Sequence, residues 1–244
     1  GVKDRRGAME YVNALVLKIV VENECRNVVD LGCGVGGTVS YLAARHPARY
    51  RGLTLSRIQA ETGRSLLAGN GVDAESAVTI HAGDFHRRSD IGGPYDAAYA
   101  IEALLHAADL RRVVDNVAAA LEPGGLFVVC DDFLCDAPLR SETANRMVGR
   151  FREGWHAPGL TRLSELVRHC RDSGLHLEND RDLTPYLELG RPRDRLIRAL
   201  MMAASWLPLR TPWWSNMRGG DALQRCLSER WIVYRFVVFR RETS

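Results

Sequence analysis

Apolar and polar positions alternate with two different periods over the first two thirds of the chain. Met9, Val12, Val16 and Val20 recur at the spacing of one helix face, which predicts a helix over residues 7–24. Short apolar runs bounded by glycine, proline or polar residues predict strands. The predicted strands are Asn27–Leu31, Tyr50–Thr54, Val78–His81, Tyr95–Tyr99 and Leu126–Cys130, and the predicted helices between them are Gly37–Arg45, a segment capped by Ser56 that runs towards Gly69, and Asp109–Leu121. This alternation is typical of a parallel sheet covered by helices.

The pattern loosens after Asp131. Residues 136–158 are expected to form an insertion over one end of the sheet. The remaining predicted elements are a helix over Thr161–Asp172, a strand at Leu175–Leu177, a helix over 192–205, a Pro/Trp-rich run at Leu207–Trp214 and a closing strand at Trp231–Arg240. No internal repeat or low-complexity linker divides the chain, so we expect one domain over residues 1–244.

The first predicted strand passes directly into the glycine-rich segment Gly32-Cys33-Gly34-Val35-Gly36-Gly37. Glycines at such a strand-to-helix turn let backbone N–H groups approach a ligand closely. Nicotinamide, flavin and S-adenosylmethionine (SAM) proteins all use turns of this kind. Asp30 would repel a pyrophosphate and favour a cationic ligand, and the second strand ends in GLTLS without the acidic residue that dinucleotide enzymes place there. These two details favour a SAM site over a dinucleotide site.

The motifs as a set resemble class I SAM-dependent methyltransferases, and in particular the branch of sterol and isoprenoid C-methyltransferases and cyclopropane-fatty-acid synthases. The matching segments are VVDLGCGVGG (28–37), RGLTLSRIQ (51–59), AGDFHR (82–87), YDAAYAIEALLHAAD (95–109) and LEPGG (121–125). The resemblance covers residues 27–131. It implies a doubly wound, mostly parallel seven-stranded α/β sheet of the Rossmann-like methyltransferase type with an antiparallel C-terminal strand. It also implies a SAM-binding core at 1–131, with 132–244 as a substrate-side insertion and C-terminal elaboration.

The resemblance also implies a set of cofactor contacts. Thr54, Leu55 and Gln59 would contact the ribose and adenine, Asp84 would face the adenine amino group, and Phe85 would pack on the ring. Ile101, Glu102 and His106 occupy positions that correspond to the fourth-strand motif of the family. The cofactor-binding residues predicted in this way are Asp30, Gly32, Gly34, Gly36, Thr54, Leu55, Gln59, Asp84, Phe85 and Ile101. After transfer of its methyl group, SAM would be left as S-adenosyl-L-homocysteine.

Two departures from the family pattern bear on the substrate. The glutamate that holds bicarbonate in cyclopropane synthases is Leu105 here, which disfavours cyclopropanation. Sterol-type enzymes usually carry a small residue at the position of Leu104, so we expect a different substrate pocket.

Glu102 and His106 are the predicted catalytic residues. Glu102 follows the fourth strand, at the sheet edge where doubly wound folds bind ligands, and its apolar setting AIEALL predicts a partly desolvated carboxylate suited to proton transfer. A helix through this segment would place His106 on the same face, four residues on. The alternatives are a capping or salt-bridge role for Glu102 and a packed histidine at 106. Asp131 and Asp132 are expected to end the fifth strand, where they would cap a loop, face the substrate or bind a metal.

Charge is unevenly distributed along the 244 residues. The chain has 33 basic and 30 acidic residues, and Lys3 and Lys18 are the only lysines. We attribute most of this arginine excess to codon usage, but residues 181–241 hold 12 basic and 5 acidic groups. Guanidinium groups suit anionic substrates such as phosphates. Arginines around Trp206, Trp213 and Trp214 could form the cationic mouth of an apolar pocket for a prenyl diphosphate, or a solvated basic face over packed helices; these arginines are Arg191, Arg193, Arg195, Arg198 and Arg210.

Composition excludes several classes of protein. A hydrophobic content of 46% with 26% charged residues excludes wholesale disorder. No apolar run reaches the roughly 18 residues of a membrane span and no signal peptide opens the chain, so we expect a cytoplasmic protein. The six cysteines lack the spacing of a metal site and are expected to be reduced thiols. No nucleic-acid-binding motif is present.

The sequence therefore predicts a methyltransferase that acts on a small, largely apolar natural-product-like molecule. By resemblance we favour methylation at a carbon atom of an alkene or isoprenoid, with Mg²⁺ required only if the substrate is a diphosphate. The alternatives are an O- or N-methyltransferase of a secondary metabolite, a nicotinamide-dependent oxidoreductase, and a non-catalytic partner subunit that keeps the fold. A homodimer is compatible with the sequence.

Overall fold

A computed structural model describes residues 5–69, 78–189 and 212–243. Its seven strands form one sheet in the order β3-β2-β1-β4-β5-β7-β6, in which β1 to β5 run parallel and β7 is antiparallel to both β5 and β6. The strands are β1 Asn27–Leu31, β2 Arg49–Thr54, β3 Val78–Ala82, β4 Tyr95–Ile101, β5 Leu121–Leu134, β6 Leu175–Asp182 and β7 Ile232–Arg241. The predicted fold class is confirmed.

Helices cover both faces of the sheet. They are α1 Arg5–Glu22, α2 Gly37–Ala43, α3 Arg57–Gly69, α4 Arg88–Ile91, α5 Leu110–Ala120, α6 Glu142–Gly154, α7 Leu163–Asp172 and α8 Pro212–Ser228. Helices α1, α2, α3, α6 and α8 bury their apolar side chains on one face. Helices α4, α5 and α7 pack on the other. Successive strand residues point to opposite faces, so the continuous apolar runs of the central strands are buried on both sides.

Strands β5 and β6 extend furthest beyond their predicted carboxyl ends. β5 continues four residues beyond Cys130 and β6 five residues beyond Leu177, because β7 pairs with both of them over their added length. Asp131 and Asp132 consequently lie inside β5 and do not end it, which corrects the prediction. Both side chains are buried, at 1% and 7% exposure. A period-2 pattern does not reveal this extension, since two adjacent acids break it.

Helices α6 and α8 pack closely against each other through glycines. A Cβ added to Gly154 would lie 2.7 Å from the Cα of Gly219, and one added to Gly219 would lie 2.6 Å from a ring carbon of Trp155. The sequence predicts no helix over 212–228, because the Gly219-Gly220 pair weakens the helix signal there. Gly219 of α8 instead lets this helix approach α6 closely. The predicted insertion over 136–158 contains α6.

Some predictions fall outside the described residues. These are the helix over 192–205, most of the run Leu207–Trp214, and Trp206 with the arginines Arg191, Arg193, Arg195, Arg198 and Arg210. The division into a core at 1–131 and a substrate-side part at 132–244 stays a prediction. Within the ranges that are described, no helix has the length and apolar character needed to cross a membrane.

Candidate functional site

The glycine-rich turn lies at the carboxyl end of β1. Gly32, Gly34 and Gly36 have φ angles of 86°, 56° and 81°, in the left-handed region that glycine adopts without cost. The N–H groups of Gly32 and Cys33 bond the carbonyl of Leu53 on β2, at 2.8 and 2.9 Å. A Cβ at Gly32 would lie 2.5 Å from the Cβ of Ala103, whereas a Cβ at Gly34 would meet nothing within 4 Å. The turn is therefore packed tightly at Gly32 and open at Gly34.

Asp30 is buried beneath this turn. Its partner on β4 in the sheet register is Tyr99. Burial raises the pKa of Asp30 to about 8, while the nearby Tyr99 hydroxyl acts in the opposite direction. No positive group contributes to the pKa of Asp30, so its charged form has no cationic partner among the described residues. A ligand that carries positive charge nearby would supply one.

The end of β2 carries a polar pair. Thr54 is buried, and its hydroxyl lies 2.7 Å from the side-chain oxygen of Gln59. The Ser56 hydroxyl accepts the N–H of Gln59 at 3.2 Å and caps α3 as the sequence predicts. Leu55 between them is 78% exposed. The structure thus brings Thr54 and Gln59 together and leaves Leu55 as an apolar side chain at the surface beside them.

Asp84 and Phe85 follow β3, and the next residue, His86, contacts both of them. Asp84 Oδ1 accepts the backbone N–H of His86 at 2.9 Å and lies 2.7 Å from His86 Nδ1. Burial acts to raise the pKa of Asp84, but these hydrogen bonds outweigh it, so the pKa is lowered. The rings of Phe85 and His86 are 5.0 Å apart. His86 therefore holds the Asp84 carboxylate and packs against the Phe85 ring, while the role of both residues in adenine binding stays a prediction.

Glu102 stands just beyond Ile101, the last residue of β4. Its φ of 50° is unusual for a residue other than glycine, and strain of this kind clusters at functional sites. The Glu102 N–H bonds the Cys130 carbonyl at 2.8 Å, and Glu102 Oε1 accepts the hydroxyl of Tyr234 at 3.1 Å. The side chain is exposed, so the predicted desolvation is wrong. The strained backbone turns this carboxylate out of the apolar segment that surrounds it in sequence.

His106 ends a 3₁₀ turn over Leu104–His106. Because this turn is not an α-helix and Glu102 lies outside it, the predicted sharing of one helix face is wrong. His106 is exposed, and its Nδ1 lies 3.0 Å from the carbonyl oxygen of His156. The structure therefore ties His106 to the segment after α6. The described contacts do not join it to Glu102.

Asp131 supports the same turn from β5. Its Oδ2 accepts the Leu105 N–H at 3.1 Å and its Oδ1 accepts the Asp132 N–H at 2.9 Å, which is the loop-capping alternative of the sequence analysis. Burial raises the pKa of Asp131 to about 7, against these hydrogen bonds and with a further contribution from Glu102. Burial likewise raises the pKa of Asp132 well above its usual value. Two buried carboxyl groups thus lie behind the exposed one.

Tyr234 is the site residue that the sequence analysis missed. It lies on β7, 132 residues from Glu102, and is 7% exposed. The alternation of the closing strand could have placed it on the face shared with Cys130. No local signal identifies the hydroxyl's partner.

The five arginines predicted to form a cationic mouth lie outside the described residues, so that prediction stays open. Three other arginines of the basic region 181–241 are described in ion pairs. The pairs are Arg230 with Asp182, Arg235 with Asp180 and Arg240 with Glu178. These ion pairs join β6 to β7 and its preceding turn. An anion site built from the described part of residues 181–241 would have to compete with them.

The predicted cofactor residues follow the order of the strands along one edge of the sheet. From β3 to β4 the edge presents Asp84 with Phe85, then Thr54 with Gln59, the glycine turn and finally Glu102, with Asp131 buried behind it. The carboxyl ends of parallel strands are where open α/β sheets bind ligands. The predicted residues therefore lie at the carboxyl ends of neighbouring strands, with Asp84 and Phe85 after β3 and Glu102 after β4.

The burial of Asp30 predicts a pH dependence of stability. A pKa of about 8 in the folded state, against 3.8 in the unfolded state, means that the folded protein binds more protons between these values. The free energy of unfolding should therefore fall as pH rises from about 5 to about 8, by on the order of a few kcal/mol. Asp30→Asn should reduce this fall without abolishing it, since Asp131 contributes in the same direction. Urea denaturation at both pH values measures the free energy of unfolding. If this free energy fell equally with pH in Asp30→Asn and in the original protein, Asp30 would not have the raised pKa assigned to it.

Comparison with known proteins gives one family. Residues 29–127 match the family model described as "Methyltransferase domain". The chain is 26% identical over 195 residues to 24-methylenesterol C-methyltransferase 2 of Oryza sativa subsp. japonica, which is 79% of this chain and 47% of that protein. It is 34% identical over 108 residues to "Probable tocopherol O-methyltransferase, chloroplastic" of the same organism, 44% of this chain and 29% of that protein. The chain thus spans about half or less of these two relatives.

Solved structures share the fold. Geranyl diphosphate C-methyltransferase from Streptomyces coelicolor, in complex with Mg²⁺, geranyl diphosphate and S-adenosyl-L-homocysteine, superposes with a TM-score of 0.69 at 18% identity, over 95% of this chain and 81% of that chain. A solved chain from Galdieria sulphuraria superposes with a TM-score of 0.78 at 17% identity, over 98% of this chain and 89% of that chain. At these identities the likeness concerns the fold.

Proposed function

Because this chain belongs to the class I SAM-dependent methyltransferases, we propose that it transfers a methyl group from SAM to a small, largely apolar molecule, at a carbon atom of an alkene or isoprenoid. The observation that carries this proposal is the Glu102 carboxylate, exposed at the end of β4 on a strained backbone and held by Tyr234. The similarity to a sterol C-methyltransferase over 79% of the chain supports a carbon acceptor.

The residues at the sheet edge fit SAM. The open space at Gly34 admits a ligand against the backbone, and the buried Asp30 lacks a cationic partner among the described residues. We assign the methionine part, with its positive charges, to the glycine turn above Asp30. Thr54 and Gln59 would hold the ribose, with Leu55 covering it. Asp84 would accept the adenine amino group through Oδ2, since both of its hydrogen bonds to His86 use Oδ1, and Phe85 would pack on the ring.

SAM, when bound, supplies a methyl group already activated on a positively charged sulfur. The protein then has to align the acceptor and exclude water. Ile101 would border the cofactor beside Glu102. An alkene that accepts the methyl group becomes a carbocation, and Glu102 would stabilise this charge and remove the proton that restores a double bond. We assign Glu102 the role of base and leave His106 as a residue that borders the acceptor.

An O- or N-methyltransferase remains the second candidate. The 34% identity over 108 residues to a protein named "Probable tocopherol O-methyltransferase, chloroplastic" supports this candidate. A hydroxyl acceptor needs a base that takes its proton before transfer, and His106 is exposed close to the same edge. A nicotinamide enzyme is less favoured, because β2 ends in the Thr54 and Gln59 pair without an acid for the ribose.

The cofactor proposal is tested by calorimetry. SAM and S-adenosyl-L-homocysteine should bind and raise the unfolding temperature, and NADH should do neither. The stabilisation follows from binding to the folded state alone, about 2.7 kcal/mol at a ligand concentration of 100 times its Kd. Binding of NADH in place of SAM would overturn the proposal.

The acceptor is tested with isotope-labelled SAM and a panel of substrates. Geranyl diphosphate with and without Mg²⁺, the corresponding alcohol, a sterol with a side-chain double bond, and hydroxylated aromatics cover both candidates. Label in a C-methyl group of an isoprenoid would support the proposal, and the dependence on Mg²⁺ would distinguish a diphosphate acceptor from a neutral one. Label found only as a methyl ether or an N-methyl group would favour the second candidate.

A further inference from the structure

Tyr234 is held in place by backbone hydrogen bonds and by strand pairing on β7. On β7 its N–H bonds the Thr184 hydroxyl at 2.8 Å, and its carbonyl accepts the Leu183 N–H at 2.8 Å. Its partner on β5 is Asp132. The side chain is buried and reaches past β5 to the end of β4, where Oη donates to Glu102 Oε1 at 3.1 Å. A buried residue of the C-terminal strand thus contacts an exposed carboxylate.

Glu102 needs such a partner because no other contact that is described fixes the position of its carboxylate. Its backbone is anchored by the bond to the Cys130 carbonyl, but its exposed side chain could turn freely into water. Two buried carboxyl groups lie behind it, and the only hydrogen bond described for its carboxylate is the one from Tyr234. The titratable groups that face this pair from β5 are Cys130, Asp131 and Asp132, and Cys226 of α8 faces Asp132.

The proton of this hydrogen bond stays on the tyrosine. Burial raises the pKa of Tyr234 well above its usual value, and the nearby Cys130 and Glu102 raise it further. The phenol therefore donates throughout the working pH range and does not act as the base. Since Tyr234 occupies Oε1, Glu102 Oε2 is the oxygen left for the acceptor.

We propose that Tyr234 is a positioning residue that acts through Glu102, holding its carboxylate at the end of β4 with one oxygen directed to the acceptor. This inference rests on the proposed function, which gives Glu102 the role of base. In the step it serves, the acceptor gains the methyl group and loses a proton to Glu102 Oε2, while Tyr234 keeps its own proton throughout.

Tyr234→Phe tests the inference, because it removes the hydroxyl and keeps the ring. Loss of one hydrogen bond to a charged group should lower kcat about 10- to 100-fold. The Kd for SAM, measured by calorimetry, should stay within about twofold. The acidic limb of the pH–rate profile should move to higher pH, because the charged carboxylate loses its donor. An unchanged kcat and profile would overturn the inference.

Tyr95→Phe is the matched control. Tyr95 is also a buried strand tyrosine with one hydrogen bond, from Oη to the Ile91 carbonyl at 2.8 Å, and it lies at the opposite end of β4. Its variant should lose stability to a similar degree and keep the pH–rate profile. If both variants lowered kcat equally with unchanged profiles, Tyr234 would be structural only.

A double variant separates this inference from the proposed function. If Tyr234 acts through Glu102, then Tyr234→Phe should have no further effect on kcat in the Glu102→Gln background. Additive losses would overturn the inference and leave the role of Glu102 intact. Full activity of Glu102→Gln alone would overturn the role of Glu102, and the inference with it.

Discussion

Glu102→Gln is expected to lower kcat about 10²- to 10⁴-fold, the range in which a positioned general base contributes. The amide keeps the size of the side chain and can still accept the Tyr234 hydrogen bond through its oxygen. It cannot take a proton or balance a positive charge on the acceptor. Because Glu102 lies beyond the last residue of β4, whereas the glycine turn follows β1 and is bonded to Leu53 of β2, the Kd for SAM should change less than about threefold.

Single-turnover rates with the acceptor identified by the substrate panel measure this effect, and calorimetry measures SAM binding in parallel. Glu122→Gln is a suitable control, because Glu122 is also exposed but lies at the amino end of β5, on the opposite edge of the sheet. It should leave both quantities unchanged. Undiminished turnover in Glu102→Gln would show that another group, with His106 the first candidate, removes the proton.

The cofactor half of the molecule was predictable because its signals are local. β1 lies where the apolar run Asn27–Leu31 places it, and the glycines that follow adopt the positive φ angles that only their residue type predicts. Ser56 caps α3 because a hydroxyl at that position satisfies a free N–H of the first turn. Each of these features depends on neighbours within a few residues.

The Glu102 end was less predictable because its features depend on distant contacts. The apolar setting of Glu102 suggested burial, yet a φ of 50° and a bond to the Cys130 carbonyl turn it outward. The turn at Leu104–His106 is held by Asp131, which lies 26 residues from Leu105 in sequence. Helical spacing relates only residues three or four positions apart and does not predict this contact. Tyr234 contacts Glu102 only because β7 inserts between β5 and β6. Strand order of this kind is a tertiary property, and periodicity does not encode it.

Gly32→Ala is expected to weaken SAM binding by at least about 100-fold. An added Cβ would lie 2.5 Å from the Ala103 Cβ, and alanine would also have to adopt a φ of 86°. The left-handed conformation alone costs roughly 1–2 kcal/mol. The clash adds to this cost, since either the glycine turn or the segment after Glu102 has to move. One methyl group would thus disturb both the cofactor turn and the proposed base.

Gly37→Ala provides the matched control in the same segment. Gly37 begins α2, its φ is not positive, and a Cβ there meets nothing within 4 Å. Alanine at this helix position should stabilise the protein by about 0.5–1 kcal/mol and leave the Kd for SAM unchanged.

The double variant Gly32→Ala with Ala103→Gly removes the clash but keeps the unfavourable φ, so it should recover part of the affinity. Recovery would locate the effect at the contact between the turn and the segment after β4. If Gly32→Ala bound SAM normally, the turn would not hold the cofactor, because a ligand seated on its N–H groups could not tolerate that displacement.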